Sequence, residues 1–339
     1  MGAMLRVPFS ELESILNATL LPMGFTPERA ALCARLFAET TRDGVYSHGL
    51  NRFPRFLGTI RNGSVVPNAE PTLDTSFMAL ERWEGNAGPG NLNALASMDR
   101  AITLAKQFGI GAVALANTNH WMRGGSYGWQ AADQGLFAIA WTNTLPNLPA
   151  WGATVPTLGN NPLVLAIPRP EGPIVLDMAM SQFSYGALSK YAKAGELLPV
   201  PGGYDSSGAL TNDPAAIEAT GRALPIGFWK GSGLSMTLDL FAAMLSGGKP
   251  SCKVDRDPLR ETAVTQFFLA IDPSHIGDAS GMQAIAETVL SDLKQAPTVT
   301  PGRPARYPGE QTLQLREENL RLGVPVDLEI WAKLQSATL

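Results

Sequence analysis

Residues 110–143 read IGAVALANTNHWMRGGSYGWQAADQGLFAIAWTN, and their rhythm decides the fold. An apolar run of strand length, 110–117, gives way to a polar, glycine-containing turn. An amphipathic stretch of helix length, 126–134, and a second apolar run, 136–143, follow. Continuous apolar runs bounded by turn residues suit buried strands, whereas apolar positions spaced three and four apart suit a helix. Upstream the alternation continues, with a strand expected at 77–83 and a helix at 91–108. Downstream, strands are expected at 163–167, 174–178 and 267–271. An α/β or α+β core is the fold class these runs imply.

The flanks read differently. Residues 9–43 read as helices: Ser10-Glu11-Leu12-Glu13 offers a cap with Glu three residues on, and Thr26-Pro27 opens a second helix that stops at Asp43-Gly44. After Pro297 a Pro-rich segment leads into two last helices, at 310–322 and 326–336. Surface loops are expected at 198–208 and 255–262, both rich in breakers or charge.

At 339 residues the chain exceeds the usual size of one core, so two domains, or one large domain with an appended piece, are expected. Lys and Arg number 26 against 30 Asp and Glu, a net charge of -4 that offers no basic face for nucleic acid and no polybasic membrane anchor. No run of about 18 apolar residues appears, and the N-terminus lacks the order of a signal peptide. A cytoplasmic protein is the expectation. Cys33 and Cys252 lie far apart and outside any metal-binding spacing, which suggests two buried reduced thiols and no metal site.

Two of the three histidines sit in short segments dense in glycine and asparagine, His48 in Tyr46-Ser47-His48-Gly49 and His120 in Asn119-His120-Trp121. Imidazole exchanges a proton near neutrality. His48 falls just beyond a helix end, on a turn, and Arg52, four residues on, suits a substrate carboxylate held by two parallel hydrogen bonds. The bland alternatives are a surface histidine at 48 and a hydrogen-bonded core histidine at 120. Gly88-Pro89-Gly90 follows a strand and opens a helix but lacks the third glycine of the dinucleotide fingerprint, so a standard Rossmann fold is not supported. Gly227-Phe228-Trp229-Lys230-Gly231-Ser232-Gly233, leading into an apolar helix at 234–245, reads either as a cradle for a pyrophosphate or as a flexible loop capped by Ser232. Asp177, inside an apolar run, needs a partner, either a backbone N–H or a ribose hydroxyl.

Taken in order, Tyr46-Ser47-His48-Gly49 with Arg52, Asn119-His120-Trp121, Trp141-Thr142-Asn143-Thr144, Gly159-Asn160-Asn161-Pro162, Leu176-Asp177-Met178 and Trp229-Lys230-Gly231-Ser232-Gly233 resemble the malate/L-lactate dehydrogenase family that lacks a Rossmann domain. The segments around His48, Phe56 and 120–130 are similar to its branch acting on 2,3-diketo-L-gulonate. That resemblance implies reduction of a 2-keto acid with NADH or NADPH in a homodimer. It further implies a non-Rossmann NAD(P)-binding fold with a central mixed, largely antiparallel sheet. A helical unit from both chain ends, 1–76 with 297–339, would pack on a central cofactor unit at 77–296. His48 matches the family's proton donor and His120 its second active-site histidine. Pro173-Ile174-Val175-Leu176-Asp177-Met178-Ala179, Trp229-Lys230 and Gly309-Glu310-Gln311 match its dinucleotide contacts. The rivals are a reductase for malate, lactate, sulfolactate or ureidoglycolate, and a sugar-acid binder that has lost turnover.

Overall fold

The computed structural model describes residues 4–300 and 302–336. Strand β1 (Met4–Val7) leads into helices α1 (Phe9–Leu20), α2 (Pro27–Arg42) and α3 (Phe53–Arg61). Pro27 occupies the first turn of α2 as the sequence suggests, but the cap expected at Ser10 does not form. Helix α1 already begins at Phe9, behind Pro8, so Ser10 lies inside the first turn.

The strand expected at 77–83 is instead a hairpin, β2 (Thr72–Phe77) and β3 (Leu80–Glu84). Met78 makes the bend in the left-handed region, at φ 53°. The boundary expected after residue 76 therefore falls within β2. Helix α4 (Gly90–Phe108), β4 (Ile110–Asn119), α5 (Gly125–Ala132) and β5 (Phe137–Thr142) follow. A ribbon of β6 (Leu148–Pro149) and β7 (Pro156–Leu158) precedes β8 (Leu163–Ile167) and β9 (Ile174–Met178), the last two spanning the expected residues. Beyond come α6 (Tyr185–Ala194), the ribbon of β10 (Gly203–Tyr204), inside the expected loop, with β11 (Leu210–Thr211), just past it, then α7 (Pro214–Thr220) and α8 (Trp229–Ser246). Strand β12 (Thr262–Ile271) is twice the expected length. Helices α9 (Ala279–Gln295) and α10 (Glu310–Leu322), strand β13 (Val324–Asp327) and helix α11 (Leu328–Gln335) close the chain.

Seven strands form one sheet in the order β2-β3-β4-β12-β5-β8-β9. Only β3 and β4 pair in parallel; the other five pairings are antiparallel. The mixed, largely antiparallel sheet is thus the one expected. Alternation along the central strands divides two cores. Val113, Leu115 and Phe268 face α4 and α5, while Ala112, Ala114 and Phe267 face the layer of α6, α7 and α8. Both faces are covered, which explains why residues 110–116 of β4 and 267–271 of β12 read as apolar runs without alternation. Trp141 stacks on Phe267 at 4.6 Å and donates to the carbonyl of Leu238 in α8, joining sheet to helix.

A third core joins the chain ends: Leu12, Leu16, Phe37, Phe53 and Phe56 pack with Val324, Val326 and Trp331. Antiparallel pairing of β1 with β13 fastens it. Met122 and Leu92 also belong to this core, so the turn carrying His120 lies at the seam between the helical core and the sheet. Cys33 is buried as expected, whereas Cys252 is exposed, a departure that follows from its place in a short surface turn. Among the described residues no helix is long and apolar enough to cross a membrane.

Candidate active site

Two turns bring the imidazoles together. After α2 ends, the chain folds back on itself through residues 45–49, and the Thr41 hydroxyl accepts the Leu50 N–H at 2.9 Å. His48 is thereby presented at the seam, its Nδ1 3.0 Å from Ser47 Oγ. On the other side β4 runs out at Asn119 and His120 follows. Trp121 is buried against Tyr127 and Phe268, and its carbonyl accepts the Tyr127 hydroxyl, so the turn is clamped immediately after the histidine. Helix α4 approaches the same turn so closely that a Cβ on Gly90 would lie 2.2 Å from the Asn119 oxygen and 2.3 Å from the His120 oxygen. The rings of His48 and His120 end up stacked, with centroids 5.8 Å apart and planes 20° from parallel.

The charges around them are unbalanced. The Arg52 guanidinium reaches one hydrogen-bond partner among the described residues, Glu261 at 3.4 Å, a carboxylate that also accepts the Leu145 N–H. β12 enters the sheet through a bulge, with Ala263 at φ 58°, and Glu261 stands just before it. Burial lowers the Arg52 guanidinium to about 10, which leaves it charged at neutrality. Burial, helped by Arg52, Arg123 and Arg55, lowers His48 to about 4. His120 is pushed well below the ordinary range by burial, Arg52, His48 and Arg55. Both imidazoles are therefore neutral when nothing else is bound, in a site where arginines outnumber carboxylates. An anion is drawn to such a place, and its arrival favours protonation of His48. A small cavity of about 20 Å³, room for one water, lies among Arg52, Arg55, Thr59, Asn119, His120 and Glu261.

Beside this pair opens a cleft of about 650 Å³. It is lined by Val45 and Arg123, by Val175, Leu176 and Asp177 from β9, and by Arg306, Tyr307, Gly309 and Gln311. Two helix N-termini face it: Gly125 opens α5, and Gly309 precedes α10. Gly309 sits at φ 93°, and a Cβ there would lie 3.1 Å from the backbone nitrogen of Val175, so both conformation and space call for glycine. Asp177 takes the first of the two partners considered for it, accepting the Gly125 N–H at 2.7 Å. Pro308 accepts the Val175 N–H at 3.1 Å and so covers part of the sheet edge.

Of the residues singled out in sequence, the fold gathers His48, His120 and Arg52 at the seam and Val175, Leu176, Asp177, Gly309 and Gln311 in the cleft. Trp229 and Lys230 do not line that cleft. The expected loop at 227–233 is also shorter than read, because α8 already begins at Trp229 behind Phe228 at φ 60°, and the following glycines are helical. Ser232 does not cap; its hydroxyl accepts the Trp151 N–H. Lys230 stands exposed in the first turn of α8. His275 is remote and contacts the Lys106 carbonyl.

Sequence reasoning assigned no role to Asp43, Arg123, Glu261 or Arg306. Asp43 is buried and accepts from Arg42, Arg123 and both Nε and Nη2 of Arg316, which holds the end of α2 and the middle of α10 to the turn before α5. The apolar stretch that Asp43 terminates signals only a helix end, and Glu261 is 209 residues from Arg52, beyond any local pattern.

The family model described as malate/L-lactate dehydrogenase matches residues 7–335. A 2,3-diketo-L-gulonate reductase of Klebsiella pneumoniae (strain 342) is 46% identical over 333 residues, 98% of this chain and 100% of that protein. The solved sulfolactate dehydrogenase from Methanocaldococcus jannaschii has a TM-score of 0.90 at 25% identity, spanning 98% of this chain and 96% of that one. For malate dehydrogenase from Pyrococcus horikoshii OT3 the TM-score is 0.88 at 27% identity, over 98% and 94%.

Proposed function

Because the chain belongs to the malate/L-lactate dehydrogenase family, we propose that it reduces a 2-keto sugar acid, 2,3-diketo-L-gulonate, to 3-dehydro-L-gulonate with NADH, or with NADPH. The observation that carries this reading is the stacked pair of His48 and His120, set beside Arg52 and next to a cleft faced by two helix N-termini. The substrate follows the names of relatives near 45% identity that cover 98% of this chain.

The cleft suits a dinucleotide. Its volume falls in the usual range of ligand sites. Backbone N–H groups in the first turn of α10, with Arg123 and Arg306, supply donors that a pyrophosphate needs, while the first amide of α5 is already held by Asp177. When bound, the reduced nicotinamide supplies a hydride. Arg52 holds the substrate carboxylate, and that negative charge offsets the arginines that keep His48 unprotonated. His48 then gives its proton to the oxygen of the former C2 carbonyl. His120, stacked against it, lies within the same small space. No step requires a metal ion.

Pro173 to Ala179, together with Gly309, Glu310 and Gln311, form the dinucleotide site in this reading. Trp229 and Lys230 belong to it by resemblance alone, and Lys230→Ala tests them: cofactor Kd rises by about 1 to 3 kcal/mol if a charge-assisted hydrogen bond is lost, and stays unchanged if Lys230 is only a helix-start residue. We place a helical unit at 1–71 with 297–339 and a cofactor unit at 72–296, shifted from 76 because β2 belongs to the sheet. A homodimer in the cytoplasm completes the proposal; the apolar face of α8, with Met236, Leu240, Phe241 and Met244 exposed, supports the dimer.

The experiment is an assay of NADH and NADPH oxidation against 2,3-diketo-L-gulonate, oxaloacetate, pyruvate and sulfopyruvate. The diketo acid should give the highest kcat/KM. A preference for oxaloacetate or pyruvate defeats the substrate assignment, and no oxidation with any keto acid defeats the enzyme reading. His48→Asn should lower kcat by about 10² to 10⁴, the range for loss of a general acid, with cofactor affinity retained.

A further inference from the structure

The two histidines are not equivalent. The backbone N–H of Met122 donates to Nδ1 of His120 at 3.0 Å, and this is the one hydrogen bond of that ring among the described residues. A nitrogen that accepts must carry a lone pair, so the proton of the neutral ring resides on Nε2. Adding a second proton would require breaking this bond and leaving a buried amide without a partner. The turn cannot readily swing to relieve that loss. Met122 is buried at φ 64°, and Trp121 before it is locked among Tyr127, Phe268 and the start of α5. The groups facing His120 are His48, Arg52 and Arg55, while the nearby carboxylate, Glu261, already engages Arg52. His48 has no such lock, since its Nδ1 meets a serine hydroxyl, which can donate or accept.

We propose that His120 acts as a permanently neutral hydrogen-bond donor through Nε2–H, steadying the oxygen that gains negative charge, while His48 alone exchanges the proton. The inference rests on the reductase reading above. The chemistry balances: hydride adds to the carbonyl carbon, the C=O π pair moves to oxygen, His48 gives that oxygen its proton, and His120 keeps its own. Solvent returns a proton to His48.

With three histidines in the chain, ¹⁵N-histidine labelling of the full-length protein resolves each ring, and the His120→Gln spectrum assigns residue 120. The expected signature is an unprotonated Nδ1 and a protonated Nε2, unchanged from about pH 5 to 9. An imidazolium or an Nδ1–H form within that range overturns the proposal. In turnover, the amide nitrogen of glutamine can stand in for Nε2–H. His120→Gln should therefore lose no more than about tenfold in kcat and keep the wild-type pH profile, whereas His120→Leu should lose about 10² to 10³, as when one oxyanion donor is removed. Equal losses in the two variants, or no loss in either, overturn it. Wild-type protein that reduces no keto acid defeats the reductase reading instead, and the ring signature still reports the tautomer.

Discussion

Asp43 shows how much one carboxylate can hold. Burial alone would raise its pKa, but the hydrogen bond from Arg316 and the charges of Arg123 and Arg42 lower it to about 2. A group whose native pKa lies below its unfolded value of 3.8 contributes its full stabilisation above pH 4 and loses it as pH falls through 2. The shift corresponds to about 2 kcal/mol at neutrality. Asp43→Asn should cost about 3 kcal/mol or more, because three guanidinium groups lose their anion. Urea denaturation should show the gap between variant and wild type closing as pH falls from 4 to 2. With His48 as the proposed proton donor the demand is opposite: reduction then needs its protonated form, which the free site disfavours. kcat/KM for reduction should fall about tenfold per pH unit above about 4, whereas kcat, reporting the complex in which a carboxylate faces Arg52, should hold to higher pH. Stopped-flow pH profiles that superimpose would refute this coupling. His48, His120 and Arg52 could be singled out as candidates because each sits in a local motif, and the fold brings them together. Glu261 and Arg123 could not, since their meaning depends on partners distant in sequence.

At the scale of elements, the approach of α4 to the His120 turn gives the sharpest test. Gly90→Ala places a methyl group against two backbone oxygens that cannot retreat without moving His120. The expected result is a loss of about 1 to 3 kcal/mol in stability together with a fall in kcat exceeding that in cofactor affinity; a fully active variant would show the turn to be pliable. Strands β8 and β9 were legible because short apolar runs, the second interrupted only by Asp177, end at turn residues. The β2–β3 hairpin was hidden because its bend uses Met78 rather than glycine or asparagine. Helix α8 begins before its expected start because Gly231 and Gly233, ordinarily breakers, lie within it. Helix α6 has no counterpart in the sequence reading: Leu188 is its one buried residue, so no apolar period marks it.

For the whole molecule, the exposed side of α8 is an apolar face without a partner among the described residues, with Met236, Leu240, Phe241 and Met244 open to solvent. If it is the dimer contact, Phe241→Lys with Met244→Lys should convert a dimer to a monomer in analytical ultracentrifugation, whereas a wild-type chain that sediments as a monomer at micromolar concentration would discard that assignment. The helical core built from both ends carries a different consequence. A ribosome releases α1, α2 and α3 long before β13 and α11, which cover them. At the usual pace of synthesis the interval is on the order of tens of seconds. Through that interval Leu12, Leu16, Phe37 and Phe53 lack part of their packing, so the nascent chain is a natural client for chaperones that shelter apolar surface. Truncation before Val324 should make this permanent, leaving a soluble yield well below that of the full chain even though every strand of the seven-stranded sheet is present.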